Sequence, residues 1–385
     1  MGRDARDIDI VVLGATGFTG QLIARYLSAH APTGSRLALA GRNRAQLAKL
    51  SEELAFDFEV IEVDATDASA LRDLAGSSHV LLSTVGPYIV HGREVVAACA
   101  EQGTDYLDLT GEPEFVDRTY LECHELAVDT GARLVHACGF DSIPHDLGAQ
   151  FTLEQLPAGE ATSIKGYVQM EGSFSGGTAA SALEIMSRLR TGRDIHRQRL
   201  ATEGGLRSRQ VDIETGRIGR ERCTGRWAIP MPTIDPQIVA YSARLDERYG
   251  PAFTYSHFLS LDGALAAAGM IGGAGLLLSA AQIPPVRRRL SRLRPPGTGP
   301  SEEKRAASWF AVRFVGQAAG QTVRTEVRGG DPGYTETSKM ISEAALCLAF
   351  DELDTTAGQV TTAVAMGPVL RSRLIDEGIS FKVLD

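Results

Sequence analysis

The sequence predicts an α/β protein, in which a doubly wound parallel Rossmann sheet is followed by a second, α+β domain. Its apolar, β-branched run Ile8–Leu13 stops at a glycine-rich turn, residues 14–20, and a helical pattern follows at once. Strand-like and helix-like stretches then alternate to about residue 150, which is typical of right-handed βαβ units. From about Ser163 the strand-like runs lack regular helical spacers, which predicts a largely antiparallel second sheet.

The alternation in the first half predicts six parallel strands with helices between them. The strands are expected at residues 8–13, 36–40, 58–63, 79–84, 106–109 and 133–137, and helices at residues 44–54 and 92–102, among others. We therefore expect residues 1–150 to form a dinucleotide-binding domain.

The second half predicts a substrate domain over residues 151–334, and C-terminal helices over residues 335–385 that pack back on the Rossmann domain. Strands are expected at residues 163–169, 253–259, 309–316 and 321–328. A helical pattern covers Thr335–Phe350. The polar, glycine-containing residues 193–226 read as loop, and residues 295–300, rich in Pro and Gly, as a rigid turn.

The glycine-rich turn has the spacing Gly-x-x-Gly-x-x-Gly. Glycines at such a turn let the backbone bend tightly and approach a pyrophosphate, whose charge sits at the helix N-terminus. A plain glycine turn is the alternative, which the position directly after an N-terminal strand disfavours. The expected cofactor contacts in the turn are Gly14, Thr16, Gly17, Phe18 and Gly20.

The end of the second predicted strand favours NADPH over NADH. No acidic residue lies between Leu37 and Leu50, whereas Arg42 and Arg44 follow the strand. An acidic residue there binds the ribose 2′-hydroxyl of NAD, and arginine suits the 2′-phosphate of NADP. A solvated first helical turn is the alternative. Further cofactor contacts are expected at later strand ends, namely Asp64, Thr84, Gly86 and Pro87. Asp64 would equally suit a capping role.

Three residues at the predicted carboxyl edge of the sheet are candidates for the catalytic acid: Tyr88, Glu112 and His145. A phenol, carboxyl or imidazole group there lies near the reactive ring of a bound dinucleotide and can give a proton. Each has a structural alternative, such as a packing tyrosine or a histidine in a first helical turn. For Asp141 we expect a helix-capping role, and for Cys138 a buried apolar one.

Composition narrows the class of protein. The net charge of −9 argues against a nucleic-acid partner. The five cysteines are scattered without CxxC spacing, so neither a metal site nor a disulfide framework is expected. The charged N-terminus leads straight into a strand without a signal-peptide pattern, which predicts a cytoplasmic protein.

Residues 263–283 carry no charge, and two prolines and five arginines follow by residue 294. Three interpretations stay open: a buried or homodimer-interface helix, a peripheral contact of residues 263–294 with the inner face of the plasma membrane, and a membrane span.

Five motifs together resemble the saccharopine dehydrogenase-like oxidoreductases, and most closely their branch of trans-acting enoyl reductases. The motifs are GATGFTG at 14–20, LAGR at 39–42, STVGPY at 83–88, GTDYLDLTGE at 103–112 and ACGFDSIPHDLG at 137–148. The resemblance carries the cofactor role to Gly14, Gly17, Gly20 and Arg42, and no catalytic residue.

This resemblance implies NADPH-dependent reduction of a carbon–carbon double bond in a polyketide or lipid intermediate for cell-envelope lipids. Its substrate partner would be an acyl chain, with a carrier protein as one form of delivery. Two alternatives remain: a saccharopine or other amino-acid dehydrogenase, and a non-catalytic, membrane-associated NADP-binding protein. A short-chain dehydrogenase is disfavoured, because no tyrosine is followed by a lysine four residues later.

Overall fold

The computed structural model describes residues 6–54, 56–171, 188–203, 209–221, 224–281 and 299–385. These residues form two sheets with helices packed around them. The first sheet is parallel throughout, with seven strands in the order β14-β6-β5-β4-β1-β2-β3. Its strands are β1 (Ile8–Leu13), β2 (Leu37–Gly41), β3 (Glu59–Glu62), β4 (Ser78–Ser83), β5 (Asp105–Asp108), β6 (Arg133–Val135) and β14 (Gly358–Val360).

The predicted Rossmann fold is confirmed by this strand order. The chain leaves β1 toward β3 on one side and then returns to β4 on the other, so the strand order reverses between β1 and β4. Ligands bind in the crevice beyond the carboxyl ends of the strands at such a switch point. The helices of this half are α1 (Phe18–His30), α2 (Arg44–Glu53), α3 (Ala68–Ser77), α4 (Tyr88–His91), α5 (Arg93–Gln102), α6 (Pro113–Thr130) and α7 (Ile143–Leu153).

The second sheet is mixed, in the order β15-β13-β12-β7-β11-β10-β9 with β8 paired to β11. It is largely antiparallel, as predicted, but β11 pairs in parallel with both β7 and β8. Its strands are β7 (Thr162–Glu171), β8 (Gln210–Ile213), β9 (Gly219–Arg220), β10 (Trp227–Pro230), β11 (Ala252–Leu261), β12 (Trp309–Ala318), β13 (Gln321–Gly329) and β15 (Ser380–Leu384). The remaining helices are α8 (Leu189–Thr202), α9 (Asp235–Leu245), α10 (Ala264–Ala281), α11 (Glu302–Ala306), α12 (Thr335–Phe350), α13 (Thr362–Ala365) and α14 (Gly367–Asp376).

The prediction of a loop over residues 193–226 is wrong, because this range contains most of α8 and the strands β8 and β9. The polar character of α8 comes in part from buried charge rather than from solvent exposure. The side chain of Arg199 is only 1% exposed. It donates hydrogen bonds to the carboxylates of Asp117 on α6, at 2.9 Å, and of Glu203, at 2.7 Å. Its guanidinium lies 4.5 Å from the ring centre of Tyr120 and 4.4 Å from that of Tyr241. This network joins α8 to the Rossmann half.

The C-terminal segment serves both sheets. Helix α12 packs on α1 and on strands of the parallel sheet. The segment also adds β14 to the edge of the parallel sheet and β15 to the edge of the mixed sheet, which the helical pattern did not predict. The expected boundary at residue 150 falls inside α7, which packs against β12 and β13.

Most of the uncharged residues 263–283 form helix α10, and most of the side chains described at the start of this helix lie on the surface. Leu265 is 90% exposed and Met270 is 47% exposed, whereas Ala267 is buried. Of the helices that the structure describes, none has both the length and the apolar character to cross a membrane. The arginine run and most of the predicted turn at residues 295–300 lie outside the described residues.

Candidate cofactor cleft and active site

The glycine turn after β1 is tight enough that side chains would not fit at two of its glycines. Gly14 has a φ of +87°, and a Cβ there would lie 2.7 Å from Oγ1 of Thr84. A Cβ on Gly20 would lie 2.4 Å from the carbonyl oxygen of Gly14. Gly17 donates its amide to that same carbonyl at 3.0 Å and begins α1 as its N-cap. The backbone amides at the start of α1 are therefore available to an anion in the crevice.

Thr84 holds this turn in place from the neighbouring strand. Its Oγ1 lies 3.2 Å from the carbonyl oxygen of Leu13 and 3.1 Å from that of Gly14, and its amide donates to Leu13 at 2.9 Å. The predicted cofactor residue Thr84 thus stabilises the glycine turn through contacts with the backbone of Leu13 and Gly14.

A cleft of about 860 Å³ opens at the switch point. Of the predicted cofactor residues, Gly14, Thr16, Arg42, Asp64 and Gly86 line it. The full lining is Leu13, Gly14, Thr16, Gly41, Arg42, Asn43, Gln46, Val63, Asp64, Ala65, Thr66, Val85, Gly86 and His91. A glycine turn with open amides and a cationic side chain fit the phosphates of NADPH.

Asp64 occupies an exposed turn at the wall of the cleft. Oδ1 of Asp64 accepts hydrogen bonds from the amide and the hydroxyl of Thr66, at 2.9 and 2.8 Å. These bonds, aided by the charge of Arg42, lower the pKa of Asp64. The capping of the next helix falls to Asp67 instead, which accepts from the amides of Ser69 and Ala70.

Besides Gly17, Gly20 and Thr84, three more predicted cofactor residues lie outside the lining of the cleft. Arg44 donates to the carbonyl of Val60 at 3.3 Å, along the neighbouring strand. Phe18 packs edge-on against Tyr334, with ring centres 4.9 Å apart. Pro87 is the N-cap of α4. Their predicted contacts with the cofactor stay predictions, and the described contacts of Arg44 and Phe18 are with other protein groups.

Tyr88 and Glu112, two candidate acids, are buried and bonded to each other's loops. The Tyr88 hydroxyl donates to the carbonyl of Ser83 at 3.0 Å and accepts from the amide of Leu109 at 3.2 Å. The carboxylate of Glu112 accepts from the amides of Tyr88 and Ile89, at 3.1 and 2.9 Å. Burial and the nearby charge of Asp108 raise the pKa of Tyr88. These contacts favour the structural interpretation of both residues.

The third candidate, His145, has no exposed surface and faces Asp235 on α9. Nδ1 of His145 lies 3.1 Å from Oδ1 of Asp235, and Nε2 of His257 lies 3.6 Å from Oδ2. Tyr255 contacts the other side of the His257 ring at 3.2 Å. Because His145, Asp235 and His257 come from α7, α9 and β11, no local pattern in the sequence predicted this set.

Burial and charge act in opposite directions on the two histidines of this set. Burial opposes a charged His145 ring, but the Asp235 carboxylate outweighs it and raises the pKa of His145. Burial lowers the pKa of His257 to about 3. One ligand atom from each of the three residues lies within 4.8 Å of the others, a set that a divalent cation would accept. The sequence predicts no metal, and that stays a prediction.

Asp141 is a titratable residue for which only a capping role was expected, and that expectation is wrong. Ser142 is the N-cap of α7, with no side-chain capping bond. The half-buried Asp141 side chain instead turns toward the loop after β5, where Oδ2 lies 3.3 Å from where a Cβ of Gly111 would stand. Burial and the charge of Asp235 raise the pKa of Asp141 to about 7, against the opposing charge of His145.

The cleft has the form of a dinucleotide site, and a family model and full-length relatives identify the protein as an oxidoreductase that uses NAD(P)H. Residues 10–135 match the family model described as the saccharopine dehydrogenase NADP binding domain, so NADP is its cofactor. The chain belongs to the saccharopine dehydrogenase-like oxidoreductases, because full-length relatives exceed 30% identity.

Both of these relatives come from mycobacteria. The chain is 37% identical to a candidate trans-acting enoyl reductase of Mycobacterium tuberculosis, over 99% of both chains. It is 33% identical to the trans-acting enoyl reductase of Mycobacterium ulcerans, over 98% of both. Among solved structures, saccharopine dehydrogenase (L-Glu forming) of Saccharomyces cerevisiae matches 98% of this chain and 99% of its own, with a TM-score of 0.55 and 12% identity. That likeness is one of fold.

Proposed function

We propose that this protein is a trans-acting enoyl reductase, which reduces a carbon–carbon double bond of a polyketide or lipid intermediate with NADPH. The observation that carries the proposal is the identity of 37% over 99% of the chain to a relative with that name. Such a reaction needs a dinucleotide site, a place for an acyl chain and a proton donor.

The residues of the cleft are suited to holding NADPH in one orientation. The turn of Gly14 and Gly20, which a Cβ would fill, leaves room for a pyrophosphate at the start of α1. Arg42 on the wall of the cleft suits the 2′-phosphate. When bound, the reduced nicotinamide supplies a hydride to the β-carbon of an α,β-unsaturated thioester. Gly86, on the lining near α4, leaves space for the nicotinamide ribose.

The composition and exposure of helix α10 support a lipid-like substrate. Its mean hydropathy is high because it has no charged residue, yet Leu265 and Met270 face solvent. Exposed apolar side chains on a helix favour contact with an interface rather than with water. We therefore include peripheral contact between α10 and an anionic lipid surface in the proposal, with the acyl chain delivered from there or on a carrier protein.

The test uses the purified full-length protein with NADPH and a panel of trans-2-enoyl thioesters of increasing chain length. The thioesters are offered on coenzyme A and on a pantetheinylated carrier protein. We expect NADPH oxidation that depends on the enoyl thioester and a product two mass units heavier. Saccharopine and free amino acids, with NADP, form the comparison panel. Turnover confined to that panel would contradict the proposal, as would tight NADPH binding without any turnover.

A further inference from the structure

We propose that Asp141 is the general acid of this site, the group that gives a proton to the α-carbon of the acyl chain. The inference rests on the proposed enoyl reduction and assigns the one role that the known motifs leave open. It is carried by the position of Asp141, by its free carboxyl group and by the buried charges behind it.

Asp141 follows β6, and its carboxyl group lies against Gly111, in the loop that follows β5. The next residue, Glu112, accepts hydrogen bonds from the amides of Tyr88 and Ile89, which lie two and three residues beyond Gly86 on the lining of the cleft. The loops after β4, β5 and β6 thus meet at one edge of the sheet. In this fold a substrate approaches the reactive ring of the dinucleotide at that edge.

The other three candidate acids are buried. Tyr88 and Glu112 use their polar oxygens on backbone groups, and both side chains are buried. His145 has no exposed surface at all. Asp141, by contrast, keeps part of its surface exposed, and the described residues make no hydrogen bond to its carboxylate. Of Tyr88, Glu112, His145 and Asp141, it is the one that has both exposed surface and a carboxyl group free to donate.

Buried charged groups face Asp141 from two neighbouring helices. Asp235 of α9 and His145 of α7 interact with it electrostatically, and His257 of β11 lies behind them against Asp235. Glu112 is the residue directly after Gly111 in the loop that follows β5. The burial of Asp141 and the negative charge of Asp235 favour the protonated carboxyl group, so it holds a proton near neutral pH.

A hydride from the reduced nicotinamide forms the new C–H bond at the β-carbon, and the electrons of the double bond move to the α-carbon and the thioester oxygen. The carboxyl O–H bond of Asp141 then breaks and the α-carbon takes the proton. Asp141 is left as a carboxylate, which regains a proton from water. The nicotinamide is oxidised and the acyl chain is reduced by two electrons.

The test compares Asp141→Asn with Asp129→Asn, an exposed position on α6. In the wild-type protein kcat should fall as pH rises above about 7, because the acid loses its proton. In Asp141→Asn we expect kcat to fall about 100-fold or more, the size typical of a lost general acid, with that limb of the pH profile gone. The Kd for NADPH should change less than about two-fold, and Asp129→Asn should match wild type.

The possible outcomes separate the two claims. If wild type reduces enoyl thioesters and Asp141→Asn keeps both the rate and the pH limb, the assignment of Asp141 is wrong and the proposed function stands. If wild type reduces none of them, both fail. Should Asp141→Asn unfold, Asp141→Glu keeps the carboxyl group and should retain a pH limb at a reduced rate. A rate reduced without any limb in Asp141→Glu would overturn the assignment.

Discussion

Oε1 of Glu112 accepts a hydrogen bond of 3.1 Å from the backbone amide of Tyr88, so one candidate acid fixes the loop that bears another. Oε2 accepts from the next amide, that of Ile89, at 2.9 Å. Both side chains are buried. The pair thus fixes the start of α4, next to Gly86 at the cleft.

Replacing Glu112 with Gln should destabilise the fold without changing the pH dependence of kcat. The Gln side chain has one acceptor oxygen, so one buried amide of α4 loses its partner. We expect a loss of about 1–3 kcal/mol in the free energy of unfolding. Denaturant unfolding and a pH profile measure the two effects, with the exposed, paired Glu122→Gln as control. A pH limb that disappears in Glu112→Gln would instead make Glu112 the acid.

Arg42→Glu should reverse part of the preference for NADPH. The substitution puts a carboxylate where the 2′-phosphate is expected, so NADPH should weaken about 10- to 100-fold more than NADH. Arg25→Glu is the control, because Arg25 lies on α1, pairs with Glu53 at 3.4 Å and does not line the cleft. It should change the preference less than about three-fold. Fluorescence titrations give the Kd values for NADPH and NADH in each variant. If Arg42→Glu lost the same affinity for NADPH as for NADH, the assignment of Arg42 to the 2′-phosphate would be refuted.

Arg199→Met should be strongly destabilising. The substitution leaves the carboxylates of Asp117 and Glu203, each 1–3% exposed, without their shared cation. Breaking a buried ion pair in this way costs about 3–5 kcal/mol. Arg197→Met on the same helix is the control, because its side chain is 75% exposed, and it should cost less than about 0.5 kcal/mol. Denaturant unfolding compares the variants, and similar losses for both would show that the buried network is not what stabilises α8.

Leu265→Asp should weaken binding to lipid if α10 lies on a membrane surface. The side chain is 90% exposed, so the change should leave the fold intact while it places a negative charge at an anionic interface. We expect wild type to float with phosphatidylglycerol vesicles and the variant to float several-fold less. Leu126→Asp on α6, where the residue is 40% exposed, is the control. If Leu265→Asp floated as well as wild type, α10 would not be the part of the protein that contacts lipid.

The parts of this molecule that the sequence predicted correctly are those encoded by neighbouring residues. The run from Ile8 through the glycine turn contains its strand, its turn and its helix within a few residues, and so does the strand before Arg42. The fold class and the cofactor follow from such segments.

What the sequence did not predict depends on residues far apart in the chain. Asp235 and His257 meet His145 only because α9 and β11 pack beside α7. Helix α8 was read as loop because part of its buried face is an ion-pair network around Arg199 and not an apolar stripe. The position of Asp141 against Gly111 likewise joins two loops that no spacing rule relates.

The most direct test of the account follows deuterium from NADPH labelled at C4 into an enoyl thioester. The purified protein, the labelled cofactor and a long-chain trans-2-enoyl thioester are combined, and the product is analysed by NMR and mass spectrometry. We predict one deuterium at the β-carbon for each NADPH oxidised, with the α-hydrogen drawn from water. Absence of label from the acyl product, with label transferred instead to a 2-oxo acid and ammonia or to saccharopine precursors, would contradict enoyl reduction.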